Sequence, residues 1–168
     1  VYLQTDRLLL RPVEYMDIDQ LVAMWADPEA TRYLGGPRDP HEVRGALDEE
    51  VDTPSRGAFG QHPLIEKATG SVVGSCGLVG ERICGRDEVE FVHIIGSRFG
   101  GKGYALEIGD ALLRFAFGTL GLKRVVSLVH PENELSRRVA ESLGMLLESR
   151  VPQPDDVQRE LWVAEREG

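Results

Sequence analysis

A β-rich apolar segment running straight into a cluster of glycines constrains this chain more than any other feature. Glu90-Phe91-Val92-His93-Ile94-Ile95 reads as a strand, and Gly96, Gly100, Gly101 and Gly103 follow it directly. From about Gly103 the apolar period becomes helical, with Leu106/Ile108, Leu112 and Phe115/Ala116 predicted to face a core. Strand, glycine turn and helix in that order make a β-α corner. Glycines let successive backbone N–H groups converge, and a helix N-terminus carries about half a positive charge. The corner therefore suits a phosphate or pyrophosphate, with Arg98 and Lys102 adding charge beside it.

Two common phosphate patterns fail here. Gly96-x-x-x-x-Gly101-Lys102 matches the start of a P-loop, but Gly103 stands where magnesium chemistry needs Ser or Thr. Nor does a later strand offer the Walker-B aspartate: Val125-Val126-Ser127-Leu128-Val129 ends at His130. The dinucleotide pattern fails because Gly101-x-Gly103 is followed by Leu106 at the third position.

The corner sits late in a chain of mixed architecture. Leu3–Val13 reads as a first strand with Leu8 and Leu10 on one face. Asp17 is the expected cap of a helix with Gln20 as its capping-box partner, and Ile18, Leu21, Val22 and Trp25 form that helix's apolar face. Pro28 opens a short turn to Tyr33, and Asp39-Pro40 starts a second helix reaching about Val51, followed by a loop over 53–57. Residues 58–66 and 72–79 read as strands around the 67–70 turn, with a connection over 80–87 and a third strand over 88–95. After the glycine corner come a strand at 124–129, a helix at 134–143 closed by Gly144, and a final strand pair at 145–152 and 157–164. The expected fold is α+β: one domain over 1–168, with a central, mostly antiparallel sheet of about seven strands flanked by helices.

Composition narrows the functional classes. The 168 residues are 42% hydrophobic and 28% charged, which excludes wholly disordered and collagen-like chains. No apolar run approaches the ~18–20 residues of a membrane span, and the polar start of the chain does not read as a secretory signal. Cys76 and Cys84 lack C-x-x-C spacing and are expected as reduced thiols in a cytoplasmic protein. Histidines 41, 62, 93 and 130 are scattered, so no metal site is expected. The net charge is −9, yet residues 94–138 carry seven bases against four acids, leaving an acidic remainder. That balance argues against broad nucleic-acid binding and fits a local anion site in a surface that attracts a cationic substrate.

Gly101-Lys102-Gly103-Tyr104-Ala105-Leu106-Glu107 resembles the acyl-CoA pyrophosphate loop of the GNAT N-acetyltransferase superfamily, in its ribosomal-protein-alanine N-acetyltransferase-like branch. Further segments match in order: Thr5-Asp6-Arg7-Leu8-Leu9-Leu10-Arg11, Trp25-Ala26-Asp27-Pro28, Arg32-Tyr33-Leu34 and Gly70-Ser71-Val72-Val73-Gly74. Then follow Leu113-Arg114-Phe115-Ala116-Phe117, Gly121-Leu122-Lys123-Arg124-Val125, Pro131-Glu132-Asn133-Glu134-Leu135-Ser136 and Glu141-Ser142-Leu143-Gly144-Met145. The chain departs from the branch at Gly100, where Trp is usual, at Val92-His93, where a Gly-aromatic pair is usual, and at Met145, where an aromatic is usual.

The resemblance implies an acetyl-CoA-dependent N-acetyltransferase that moves acetyl directly to a primary amine in a ternary complex. The acceptor would be a protein N-terminal α-amine or a small amine, with no nucleic-acid or membrane partner. A homodimer through the final strands is compatible with such folds. A non-catalytic acyl-CoA-binding or regulatory domain is the alternative. By the same resemblance, amides over Gly101, Lys102, Gly103, Tyr104 and Ala105 bind the pyrophosphate, and Arg98 and Lys102 add charge. The backbone of Ile94 and Ile95 pairs with pantetheine like an added strand, their side chains remaining core. Asn133 is either a helix-cap residue or a cofactor hydrogen-bonding group, and Ser136 is the group to protonate the leaving thiolate. An amine must lose its proton before attack, so a base is useful; Glu90 is the first choice and His93 the second. Cys76 is expected to pack, because direct transfer needs no enzyme thiol.

Overall fold

In the computed structural model, which describes residues 3–55 and 57–167, the strands form a single sheet of eight rather than about seven. They are β1 (Leu3–Gln4), β2 (Leu8–Leu10), β3 (Gly60–Glu66), β4 (Val72–Ile83), β5 (Arg86–Ile95), β6 (Arg124–Val129), β7 (Leu146–Val151) and β8 (Arg159–Glu165). Their order is β1-β2-β3-β4-β5-β6-β8-β7. The helices are α1 (Ile18–Ala26), α2 (Pro40–Asp52), α3 (Tyr104–Arg114) and α4 (Glu134–Ser142). Arg56, inside the loop expected over 53–57, lies outside the described residues. The contacts fall into two compact units: residues up to Gly77 with His93–Ala105, and Leu78–Val92 with the chain from Leu106 onward.

In the first unit the opening strand is two strands. Leu3↔Leu10 and Gln4↔Leu9 pair antiparallel, and the break comes where Thr5 turns the chain. Thr5 N–H donates to Leu8 O at 2.9 Å, and Leu8 N–H donates to Thr5 Oγ1 at 3.1 Å. Leu8 and Leu10 are fully buried, as their shared face requires. β2 then pairs antiparallel with β3, Leu8 opposite Glu66 and Leu10 opposite Leu64.

The predicted capping box at Asp17 and Gln20 is not formed. The Asp17 carboxylate is buried and accepts from the Arg11 guanidinium at 2.7 and 3.1 Å and from Glu14 N–H at 2.8 Å. A buried, charged neighbour outcompetes the local cap. Gln20 instead accepts the Val72 N–H at 3.0 Å, tying α1 to the start of β4. The apolar face of α1 is as expected: Leu21 and Trp25 pack with Met24, Ile65, Val72 and Ile94 in one core cluster. α2 begins as predicted, Asp39 accepting from His41 N–H at 2.8 Å with Pro40 as the first helical residue.

In the second unit the connection expected over 80–87 shrinks to two residues. β4 runs on to Ile83, and Cys84 (φ +48) and Gly85 (φ +77) turn it into β5. Positive φ at both central residues is the type I′ requirement, which Cys-Gly does not advertise as Asn-Gly would. β5 pairs parallel with β6 at Glu90↔Val126, and β6 pairs antiparallel with β8 along its length. β7 pairs antiparallel with β8 through a bulge between Leu147 and Ser149. Ile83, Val126, Val151, Leu161 and Val163 make the apolar cluster. Arg124 gathers three carboxylates there: Glu88 at 3.0 Å, Glu148 at 2.6 Å and Glu165 at 3.2 Å.

α3 begins at Tyr104, since Gly103 has φ +78 and is not helical. Ile108, Leu112 and Ala116 are buried as expected, whereas Leu106 is exposed. Residue 106 is two before Ile108, and helical neighbours two apart point to different faces. A Cβ at Gly109 would lie 2.9 Å from Leu143 Cδ1 and 3.2 Å from Phe91, so only glycine lets the helix sit that close. Among the described residues, no helix is long and apolar enough to cross a membrane.

Candidate functional site

The first unit holds the glycine corner. Ile94 is buried in the α1 cluster, so its side chain is core, as expected. β4 approaches this end of β5 closely: a Cβ on Gly74 would lie 2.4 Å from Ile94 O. Gly96 N–H donates to Val73 O at 2.8 Å, and Ser97–Phe99 then makes one 3-10 turn closed by Phe99 N–H on Gly96 O at 2.8 Å. Ser97 Oγ–H donates to Asp27 Oδ2 at 2.6 Å, and with the Glu29 N–H this holds the Asp27 carboxyl below its usual range.

The loop proper follows. Gly101 and Gly103 both sit at φ +78, and a Cβ at Gly101 would meet nothing within 4 Å. Glycine is required there by backbone conformation rather than by packing. Gly103 immediately precedes α3 and offers no side-chain oxygen to its first N–H groups. Two other helices have side-chain caps: Asp39 caps α2, and Asn133 caps α4 by accepting from Ser136 N–H at 3.2 Å. Lys102 is exposed, and its Nζ lies 3.7 Å from Glu66 Oε2. Arg98, also exposed, rests over the Phe99 ring at 5.4 Å. Tyr104 is buried, donates its hydroxyl to Glu66, and is covered by the Arg7 guanidinium at 4.6 Å. Arg7 Nη2 also donates to Lys102 O at 2.9 Å. Ile95 and Ala105 flank this corner, both partly buried.

His93 begins the stretch of β5 belonging to this unit, and burial pushes its imidazole down to about 4. It is therefore neutral near pH 7. Cys76, fully buried, has its thiol pushed well up by desolvation and is inert as a nucleophile; Cys84 is an exposed free thiol.

The second unit holds Glu90, Asn133 and Ser136. Glu90 is partly buried on β5, and its Oε1 accepts the Leu128 N–H at 3.3 Å. Burial pushes its carboxyl up to about 7; the Leu128 N–H opposes the shift and the charge of Glu81 adds to it. A carboxylate titrating there can take a proton from an ammonium without being permanently protonated itself. Asn133 is a helix cap, which leaves its side-chain NH2 as the group able to donate elsewhere. Ser136 lies in the first turn of α4 and is partly buried.

Sequence reasoning missed Glu66, Arg7 and Asp27 as parts of the corner. Arg7 and Asp27 lie within matched segments, but nothing local shows which partner each takes. Among the described residues no group of three or more His, Cys, Asp or Glu could hold a metal ion.

Comparison with known proteins bears on the fold and the family. Residues 7–146 match the family model of the acetyltransferase (GNAT) domain. The chain is 33% identical over 145 residues to an uncharacterized N-acetyltransferase, p20, of Bacillus licheniformis, covering 84% of this chain and 80% of that one. An acetyltransferase structure from Agrobacterium tumefaciens superposes with a TM-score of 0.81 at 29% identity, over 99% of this chain and 95% of the other. The spermidine N-acetyltransferase of Vibrio cholerae, solved with CoA and spermine, shares the fold at a TM-score of 0.76 and 17% identity, over 96% of each chain. A mixed sheet of eight strands, a glycine corner opening α3 and a family match over 140 residues converge: the chain belongs to the GNAT acetyltransferase family.

Proposed function

We propose that this protein binds acetyl-CoA and transfers its acetyl group directly to a primary amine in a ternary complex, acting as a single GNAT domain in the cytoplasm. The observation that carries the reading is the backbone at the start of α3. Two left-handed glycines, Gly101 and Gly103, lead directly into an eleven-residue helix that begins at Tyr104. Backbone N–H groups over Gly101–Ala105 would take the pyrophosphate oxygens, helped by the helix dipole and by Arg98 and Lys102. Backbone groups of Ile94 and Ile95 would pair with pantetheine. An N–H in that stretch would polarise the thioester carbonyl.

The chemistry is an addition and an elimination. The acceptor ammonium gives a proton to Glu90, directly or through water. The neutral amine attacks the thioester carbon, leaving one excess proton on its nitrogen; the tetrahedral adduct collapses to the amide and expels the thiolate, and that proton passes through the Ser136 hydroxyl to the sulfur, so that Ser136 ends protonated. Glu90 is favoured over His93 because its carboxyl titrates near 7, whereas the buried imidazole, down at about 4, is a poor base. Asn133 would donate its side-chain NH2 to the cofactor while its oxygen holds the α4 cap. The acceptor is a protein N-terminal α-amine or a small amine, and the acidic surface favours a cationic one.

Thermal unfolding with acetyl-CoA tests the reading. At a ligand concentration ~100 times its dissociation constant, stabilisation is about 2.7 kcal/mol, a rise of roughly 5–11 °C at this size. A rise, followed by release of free CoA on adding a primary amine, is expected. No rise refutes the cofactor. A rise without release for any amine favours an acyl-CoA-binding domain without turnover. A rise with Mg-ATP alone would revive a nucleotide loop.

A further inference from the structure

Glu66 is a buried carboxylate outside the reaction described above, and all of its side-chain partners lie in the first unit. It ends β3, where both of its backbone groups are held: its N–H donates to Ser71 O at 2.9 Å, and its carbonyl accepts from Gly70 N–H at 2.8 Å and Thr69 N–H at 3.4 Å. Its position opposite Leu8 in the β2–β3 ladder fixes it from the other side. The two carboxylate oxygens divide their work. Oε1 accepts from Thr69 Oγ1 at 2.8 Å, within the turn, and Thr69 Oγ1 in turn accepts the Ser71 N–H at 3.2 Å. Oε2 reaches the glycine corner, accepting the Tyr104 hydroxyl and lying 3.7 Å from Lys102 Nζ.

The corner needs such a hold. Gly101 and Gly103 have wide conformational freedom, and an unbraced glycine loop is ordered only at the expense of ligand affinity. Tyr104 is the first residue of α3, and Lys102 sits between the two glycines, so one oxygen of Glu66 grips both sides of Gly103. Arg7 adds a second hold through Lys102 O and the Tyr104 ring. The Tyr104 and Thr69 hydroxyls and the Lys102 ammonium keep the Glu66 carboxyl below its usual range, so it is ionised at neutral pH and its grip is charge-assisted.

We propose that Glu66 is a positioning residue for the acyl donor: from the rigid end of β3 it fixes Tyr104 and Lys102, and so presets the Gly101–Gly103 backbone for the pyrophosphate. The proposal rests on the assignment of that corner to acetyl-CoA. Glu66 touches neither the thioester nor the amine, so its loss weakens donor binding and spares the chemical step.

The test compares the wild-type chain with Glu66→Ala, Glu66→Gln, Tyr104→Phe and the Glu66→Ala/Tyr104→Phe double variant. Dissociation constants for CoA are measured by calorimetry, and KM and kcat for both substrates by CoA release. Glu66→Ala is expected to raise the CoA dissociation constant and the acetyl-CoA KM ~10-fold or more, the size expected for losing a hydrogen bond to a charged group. kcat at saturating acetyl-CoA and the acceptor KM should change less than twofold. Glu66→Gln keeps an oxygen for Tyr104 but loses the charge that holds Lys102, and its affinity should fall between those of wild type and Glu66→Ala. The double variant should be no worse than the more damaged single one, because the two residues act as one unit. A purely structural Glu66 would lower the unfolding temperature with donor affinity intact, and that result overturns the proposal; so does a fall in kcat with KM unchanged. Should Glu66→Ala not fold, Glu66→Gln and Tyr104→Phe carry the same comparison. Wild-type protein that binds no CoA would overturn the cofactor assignment itself, whereas wild-type binding matched by every variant would overturn only the role of Glu66.

Discussion

Replacing Glu90 with glutamine separates its proposed chemistry from its packing, because both leave a signature in pH. Burial raises its carboxyl from an ordinary 4.5 to about 7. The folded chain therefore keeps a proton that the unfolded chain releases between those values. Stability from this residue is full below about 4.5, falls as pH rises towards 7, and stays lost above it. The gap corresponds to about 3 kcal/mol as a ceiling at 1.36 kcal/mol per pKa unit, and roughly 1–2 kcal/mol once the part of Glu90 left in water is discounted. Glutamine keeps an oxygen for the Leu128 N–H and has no charge to bury. Glu90→Gln should thus unfold roughly 2–8 °C higher than wild type at pH 8 and gain nothing at pH 4.5. Activity should move the other way. Wild-type kcat/KM rises with pH through about 7, as the carboxylate ionises. The variant loses that inflection and follows the amine alone, near ~8 for an α-amine or ~10.4 for a lysine-type amine. Its deficit should be ~10²–10⁴-fold near pH 7 and shrink once the acceptor is already neutral. CoA release can be read with a chromogenic disulfide, after subtracting the exposed Cys84 thiol of each chain. Parallel wild-type and variant pH profiles would refute the base, and equal unfolding temperatures at pH 8 would refute the buried charge.

Other predictions follow from single close approaches. Gly103→Val forces a β-branched residue to φ +78 and should abolish acetyl-CoA binding in a titration; retained affinity would count against the loop. Gly74→Ala places a Cβ 2.4 Å from Ile94 O, so β4 and β5 must shift; the expected loss, about 1–3 kcal/mol in denaturant unfolding, should come with weaker CoA binding. Arg11→Ala leaves the Asp17 carboxylate buried beside Glu14 N–H without its guanidinium and should cost about 3–5 kcal/mol, read as a lower denaturation midpoint. A maleimide should label Cys84 rapidly in the folded protein and leave Cys76 untouched until unfolding, as mass spectrometry of the modified peptides would show.

What the sequence made legible was apolar period and glycine conformation, and what it hid was which partner each polar side chain takes. Ile18, Leu21, Val22 and Trp25 fall on one face at helical spacing, and all four are buried. Residues 124–129 hold three valines and are flanked by breaks, and β6 has those bounds. The glycine corner was visible for the same reason: the end of β5, the glycines and the start of α3 lie in consecutive residues. The failures share another cause. Leu3–Val13 looked continuous because Thr5 breaks the strand with its own hydroxyl, a side-chain bond that apolar periodicity does not register. Asp17 looked like a cap because Ser, Thr, Asp and Asn cap most helices, yet a guanidinium six residues earlier took its carboxylate. Glu66 was unremarkable in Leu-Ile-Glu-Lys because Tyr104, its partner, is 38 residues away. A pattern read along the chain finds groups that act with their neighbours, such as the amides of one turn. It does not find a carboxylate whose role depends on which loop the fold brings to it. The residues that would bind the donor's phosphates were therefore open to sequence reasoning, while the residue that would hold them in place was not. Acceptor choice is expected to behave like Glu66, set by side chains distant in sequence, and so to be decided by measured amine profiles rather than by motif.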